Sequence, residues 1–283
     1  MAVKIVTDST SDISPESAQG LDIRIVPIYV QFGSEVYRDG IDVTDDEFYS
    51  RLATSPVHPT TSQPGPEDFT RAFNDCLEGA DGVVSIHISS KISGTYNSAL
   101  LAKKAINSDK PIEVIDSMFN SAGLWLVVAA AARLAQSGAP MAAVVEEARR
   151  AVQQVRMFGM FATMKYLARG GRLSKTIADA SGVLHVRPLL TFRDGEIMRA
   201  GLVRTVSNGL DRICDFVSKN LPASEITIAH SIVPDQAQML KSRLAQVLPA
   251  EHIHIAELGT ALGVHGGPGV LVLALRRSES GNQ

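Results

Sequence analysis

Short apolar runs recur along the chain, separated by segments with helical periodicity. VKIVTD, VVSIHI, IEVID, ITIAH, HIHIAEL and VLVLALR are runs of the length and β-branched content of strands. IRIVPIYV reads as one further strand, the second in the chain. Between the runs lie helix signals. Ser14-Pro15-Glu16 places proline at a first helical position, and Thr44-Asp45-Asp46-Glu47 is a capping box opening FYSRLA. DFTRAFNDCL and NSALLAKKAI continue the helical series, and AAVVEEARRAVQQV, Ala142 to Val155, is a long amphipathic helix. AGLWLVVAAAA, Ala122 to Ala132, is apolar on every face and too short to span a bilayer, so it predicts a buried helix.

Strands alternating with helices predict a mostly parallel sheet covered on both faces. The pattern changes after Val155. MFGMFAT predicts a strand, KYLARGGRLS is a basic stretch broken by glycines, and RPLLTFRDGEIMRAGLVRT predicts a hairpin turning at Asp194-Gly195. The expectation is therefore two α/β domains. Residues 1–155 carry a mostly parallel sheet flanked by helices, and residues 156–283 carry a mixed sheet with a β-hairpin and helices. PVHPTTSQPGP and GVHGGPG read as loops.

Composition narrows the class. With 283 residues, 45% hydrophobic and 20% charged, the chain predicts a soluble protein with a substantial core. A net charge of −3 gives no reason to expect a nucleic-acid partner. Cys76 and Cys214 form no CxxC and no metal spacing, which argues against a disulfide framework or zinc site. The start MAVKIVTDSTSD has no apolar signal region, so a cytoplasmic protein without stable membrane insertion is expected.

Candidate chemistry sits in four polar loops at strand ends: DSTSD, TTSQP, SSKISGTYNS and GVHGGPG. Ligands of open α/β sheets bind beyond the carboxyl ends of the strands. Each loop taken singly is more ordinarily a helix cap or turn. Neither a GxxxxGK(S/T) phosphate loop nor an intact GxGxxG is present, and neither is a GxSxG elbow or an HExxH. His265 by itself reads as a packed imidazole near a tight turn.

Taken together, DSTSD, TTSQPGPEDF, SSKISGTYNSA, KYLARGGRLS and HGGPG resemble, in order and spacing, the DegV family of fatty-acid-binding proteins. Some members serve as the binding subunit of bacterial fatty acid kinases. Gly65 departs from the family pattern, in which serine is common after TSQP. The resemblance implies two α/β domains with one long-chain fatty acid buried near their junction. It also implies that Thr61 and Ser93 hydrogen-bond the carboxylate, that Ser62 and Gly94 add backbone N–H donors, and that His265 and Arg204 lie near the head group. The partners implied are the fatty acid and a separate kinase subunit, with no cofactor, no metal and no catalytic residue in this chain. Two hydroxyls with backbone N–H groups at a helix start suit a single carboxylate without a strong ion pair. Phe158, Phe161, Met164 and Leu184 are candidates for the tail wall, though ordinary core is the usual role of such residues. A serine hydrolase using His265 and a small-molecule regulatory module are the competing readings. The first needs a serine–histidine contact with an orienting acid. The second lacks a phosphate loop.

Overall fold

The computed structural model of the chain describes residues 2–172 and 186–278. Leu184, one of the tail candidates, lies outside them, as do the last two residues of KYLARGGRLS. The first half contains β1 (Val3–Asp8), α1 (Pro15–Gly20), β2 (Ile23–Val26), β3 (Tyr29–Phe32), β4 (Glu35–Arg38), α2 (Asp45–Thr54), β5 (Thr60–Ser62), α3 (Pro66–Gly79), β6 (Gly82–His87), α4 (Thr95–Ala105), β7 (Ile112–Asp116), α5 (Ser121–Gln136) and α6 (Met141–Gln154). The second contains β8 (Val155–Met160), α7 (Lys165–Arg169), β9 (Arg187–Arg193), β10 (Glu196–Val203), α8 (Val206–Ser218), β11 (Ala223–His230), α9 (Pro234–Leu244), β12 (Ile253–Glu257), α10 (Thr260–Gly266) and β13 (Leu271–Arg277).

Three sheets result among the described residues. Strands β2-β1-β6-β7 form a parallel sheet, β4-β3-β5 a small antiparallel one, and β10-β9-β8-β13-β11-β12 a six-stranded mixed sheet. Only β11 and β12 pair in parallel within the last. The protein is thus built from two α/β units, one around the parallel sheet and one around the mixed sheet.

Helix α5 lies between the units. Residues 121–132 are buried without exception, which follows from an apolar surface on all sides. One continuous core joins Ile5, Val84 and Ile86 of the parallel sheet, through this helix, to Ala229, Val272 and Ala274 of the mixed sheet. Arg133 near its end makes a bidentate pair with Glu225 of β11, at 2.7 and 2.6 Å. The capping box of α2 forms, with the Thr44 hydroxyl accepting the Glu47 N–H and the Glu47 carboxylate accepting the Thr44 N–H. The β9–β10 hairpin turns at Asp194 and Gly195, both at positive φ (51° and 83°), as a two-residue turn of this hand requires.

Three local expectations differ from the structure. IRIVPIYV is two strands: Ile23–Val26 pairs with β1 in parallel, while Tyr29–Phe32 pairs antiparallel with β4 and β5. Pro27, which offers no N–H to a ladder, stands at the break. The proline-rich loop contains a short strand, in which Thr61 lies opposite Val30. GVHGGPG is only half loop: Gly263 to Gly266 are the last turn of α10, and the chain turns at Gly267 and Gly269 at φ 70° and 82°.

Candidate functional site

A cavity opens where β5, the β6–α4 loop, α10 and strands β8, β9 and β13 meet. The space between its walls, open mouth included, is about 990 Å³. Its apolar wall includes Ile88, Ile92, Met157, Phe192, Leu262 and Val272. Its polar wall includes Thr61, Ser62, Gln63, Ser93, Asn120 and His265. Arg172 is the only charged side chain of the lining among the described residues, and no carboxylate faces the cavity there. Such a lining suits a long apolar body with one small anionic or neutral polar head. It leaves a cation without a partner.

Local contacts assemble the polar wall. Strand β5 presents Thr61, whose Oγ1 is hydrogen-bonded to His265 Nε2 at 2.8 Å. Ser93 precedes α4: its Oγ accepts the Thr95 N–H at 3.3 Å and is hydrogen-bonded to Thr95 Oγ1 at 2.9 Å. Gly94, the N-terminal cap of α4, does not line the cavity; a Cβ there would lie 2.5 Å from the Gln63 amide, so its bare backbone lets the two polar loops touch. The hairpin tip closes on the same loop, with Ser89 Oγ donating to the Gly195 carbonyl at 2.7 Å. SSKISGTYNSA is therefore both a strand-to-helix turn and part of the cavity wall.

His265 is held as a neutral imidazole. Burial, reinforced by the positive charge of Arg172 and by His58, pushes its pKa down to about 4. Its Nδ1 is buried and finds no hydrogen-bond partner among the described residues. It faces Gly170, where any Cβ would stand 2.1 Å from that nitrogen. An orphaned acceptor is better tolerated than an orphaned N–H. The neutral ring therefore carries its proton on Nε2, which donates to Thr61 Oγ1 and leaves the Thr61 hydroxyl hydrogen free to point into the cavity.

Of the other sequence candidates, Phe158 and Phe161 line the cavity. Met164 is buried core, clustered with Leu167, Leu190 and Ile197. Arg204 is exposed just beyond β10 and lies outside the lining. Sequence reasoning missed Gln63 and Arg172. The signal for Arg172 was the single cation after the paired glycines of KYLARGGR.

A serine–histidine–acid chain does occur elsewhere: Ser85 Oγ lies 2.6 Å from His87 Nε2, and His87 Nδ1 lies 3.0 Å from Asp8 Oδ2. All three residues are fully buried in the parallel sheet, and Ser85 is mid-strand. No substrate carbonyl can reach it there, so the network ties β1 to β6. Among the described residues His265 has no orienting acid at Nδ1, as a hydrolytic triad would require.

A two-unit α/β fold with an apolar cavity and a hydroxyl–imidazole wall defines a class of small-ligand-binding protein. The chain belongs to the DegV family, whose model, described as uncharacterised proteins, matches residues 2–277. A DegV domain-containing protein of Caldanaerobacter subterraneus subsp. tengcongensis is 33% identical over 269 residues, covering 94% of this chain and 95% of the relative. Among solved structures, a Thermus thermophilus DegV family protein described by its fatty acid binding superposes with a TM-score of 0.90 at 33% identity, covering 98% of this chain and 99% of that one. The Streptococcus pneumoniae fatty acid kinase (Fak) B3 protein loaded with linoleic acid superposes at 0.88 with 25% identity, covering 98% and 99%. None of the described helices is long and apolar enough to cross a membrane.

Proposed function

We propose that the protein binds one long-chain fatty acid in this cavity and presents its carboxylate to a separate kinase. The observation that carries the proposal is a largely apolar lining with two hydroxyl loops and, among the described residues, one cation and no acid. Thr61 and Ser93 donate O–H bonds to the two carboxylate oxygens, with Ser62 as the neighbouring backbone contributor; Gly94, expected from the resemblance to add a second N–H, lies off the lining and instead lets the Ser93 loop approach Gln63. His265 fixes the Thr61 hydroxyl, and Arg172 balances the charge at the mouth. Arg204, exposed and off the lining, serves the kinase side. The division between the units falls at residue 155, where α6 runs directly into β8.

Magnitudes divide the labour. About fifteen methylenes at ~0.8 kcal/mol each give roughly 12 kcal/mol of gross burial. One hydrogen bond to a charged head adds about 1.5–3 kcal/mol. Tail burial sets affinity, and the hydroxyls set orientation. In the kinase step a carboxylate oxygen attacks the γ-phosphorus of ATP. The new P–O bond makes an acyl phosphate, the bond to the bridging oxygen breaks, and ADP leaves with that electron pair. This chain supplies no base, because a carboxylate has no proton to lose.

The test is titration of delipidated protein with oleate labelled at the carboxyl carbon, read by NMR. A single bound resonance that does not titrate through the ordinary carboxylate range is expected. A resonance that titrates as in free oleate would place the head in solvent and overturn the proposal. Addition of a fatty acid kinase and ATP then tests presentation separately.

A further inference from the structure

A second concavity lies between the two units, walled by β2 and β12, each the last strand of its sheet. Its lining is strongly acidic. Asp12, Asp39, Asp45 and Glu257 face it together with Asp42, Glu47 and Glu251, and Lys241 and His254 are also on the lining. None of the first four makes an ion pair among the described residues, whereas Asp42 is paired with Arg38 and His254 with Glu225. Asp12 and Asp39 do have structural duties. Asp12 accepts the Ser121 hydroxyl and the Gly259 N–H, and Asp39 accepts the Thr260 hydroxyl and the Ala261 N–H. Asp45 and Glu257 make no hydrogen bond through their carboxylates among the described residues and are free for a guest. Burial, with the charges of Asp39, Glu257 and Asp46, pushes Asp45 up to about 7, the response of a carboxylate crowded by others without a counter-ion.

Two further features point to a ligand. Thr227 on β11 is fully buried and lines the cleft, yet its Oγ1 has no hydrogen-bond partner among the described residues. Trp125, the only tryptophan of the chain, lines the same cleft beside Ile13, Ile25 and the exposed Ile41 and Ile255. An aromatic ring with aliphatic walls and dispersed carboxylates suits an ammonium on a hydrocarbon stem. A metal ion does not fit, since no group of three or more acidic, histidine or cysteine side chains among the described residues is placed to hold one.

We propose that this cleft binds an aliphatic cation with two or more ammonium groups, which pair with Asp45 and Glu257, pack on Trp125 and meet the orphaned Thr227 hydroxyl. The ammonium groups come either from a free polyamine or from lysine side chains of an extended partner segment beside the open edge of β12. The two linings share no residue, so the test is run on lipid-loaded and delipidated protein alike.

The experiment is calorimetric titration with spermidine, followed in parallel by Trp125 fluorescence, on lipid-loaded and delipidated protein. Magnesium chloride at matched ionic strength is the control. Saturable one-to-one binding is expected, weakened about tenfold or more in the Asp45→Asn, Glu257→Gln double variant, which should load fatty acid as wild type does. Removing like charges should also leave its melting temperature at or above that of wild type. An acetylated, amidated peptide of alternating lysine and valine separates the sources: tighter binding than spermidine assigns a partner segment, weaker binding a polyamine. A magnesium response equal to that of spermidine, or a double variant that binds as well as wild type, would overturn the proposal. So would failure of both probes to bind.

Discussion

Replacing Thr61 by valine keeps the shape of β5 and removes one hydroxyl. In the structure that hydroxyl is the only partner of His265 Nε2, at 2.8 Å, among the described residues. His265 Nδ1 already has none. The variant therefore leaves a buried imidazole unpaired at both nitrogens, which should cost about 1–3 kcal/mol of stability. Binding loses one hydrogen bond to a charged group, about 1.5–3 kcal/mol, or roughly ten- to 150-fold in affinity. The ~12 kcal/mol of tail burial is untouched, so the variant still binds. Calorimetry with a fatty acid and with the alcohol of equal length isolates the head-group term. The alcohol should lose only about 0.5–1.5 kcal/mol, the value of a neutral hydrogen bond. Equal losses for acid and alcohol, or no loss for the acid, would show that Thr61 does not hold the carboxylate.

Ser93→Ala should weaken fatty acid binding by about 1–3 kcal/mol and also destabilise the start of α4, where Ser93 Oγ accepts the Thr95 N–H; unchanged affinity would remove Ser93 from the head-group site. Arg204→Ala should leave loading nearly intact and lower acyl-phosphate formation by a reconstituted kinase pair, and turnover equal to wild type would assign Arg204 to the solvated surface. Arg172→Gln should raise the His265 pKa from about 4, because a positive charge beside the imidazole is removed; an unmoved NMR titration would place Arg172 away from the ring. Asp45 has a folded pKa near 7, above its ordinary value, so stability falls as pH rises through that interval. Asp45→Asn should match wild type in acid and exceed it above about pH 7 by ~1–2 kcal/mol after solvent screening, and a gain independent of pH in thermal melts would refute the assignment.

Much of this was legible in the chain because it is local. The capping box at Thr44 and Glu47, the Asp194-Gly195 turn and the apolar helix around Trp125 are each fixed by neighbours in sequence. Thr61 and Ser93 could be singled out because hydroxyl-rich loops at strand ends are visible as motifs. What escaped is tertiary. Thr60–Ser62 is a strand only because Tyr29–Gln31 lies beside it, and no periodicity marks so short a segment. His265 sits on a helix although glycines surround it, because Gly263 packs close to Phe48 and Tyr49 and Gly266 close to Val270, where larger residues would not fit. The roles of Gln63 and Arg172 depend on a glycine in a distant loop and on a histidine 93 positions away. The acidic cleft draws Asp12, Asp39, Asp45 and Glu257 from separate stretches of the chain; Asp12 and Asp45 were visible only as parts of a polar loop and a capping box, and nothing in the sequence marks Asp39 or Glu257 as their neighbours.

The central claim is that this protein carries a fatty acid, and native mass spectrometry of the intact protein, as purified from a bacterial host without added lipid, tests it most directly. One adduct per chain is expected, released on denaturation as a fatty acid of about sixteen to eighteen carbons, the length whose ~fifteen methylenes carry the binding energy. A protein that is empty as purified, and that takes up no oleate when it is offered, would contradict the account.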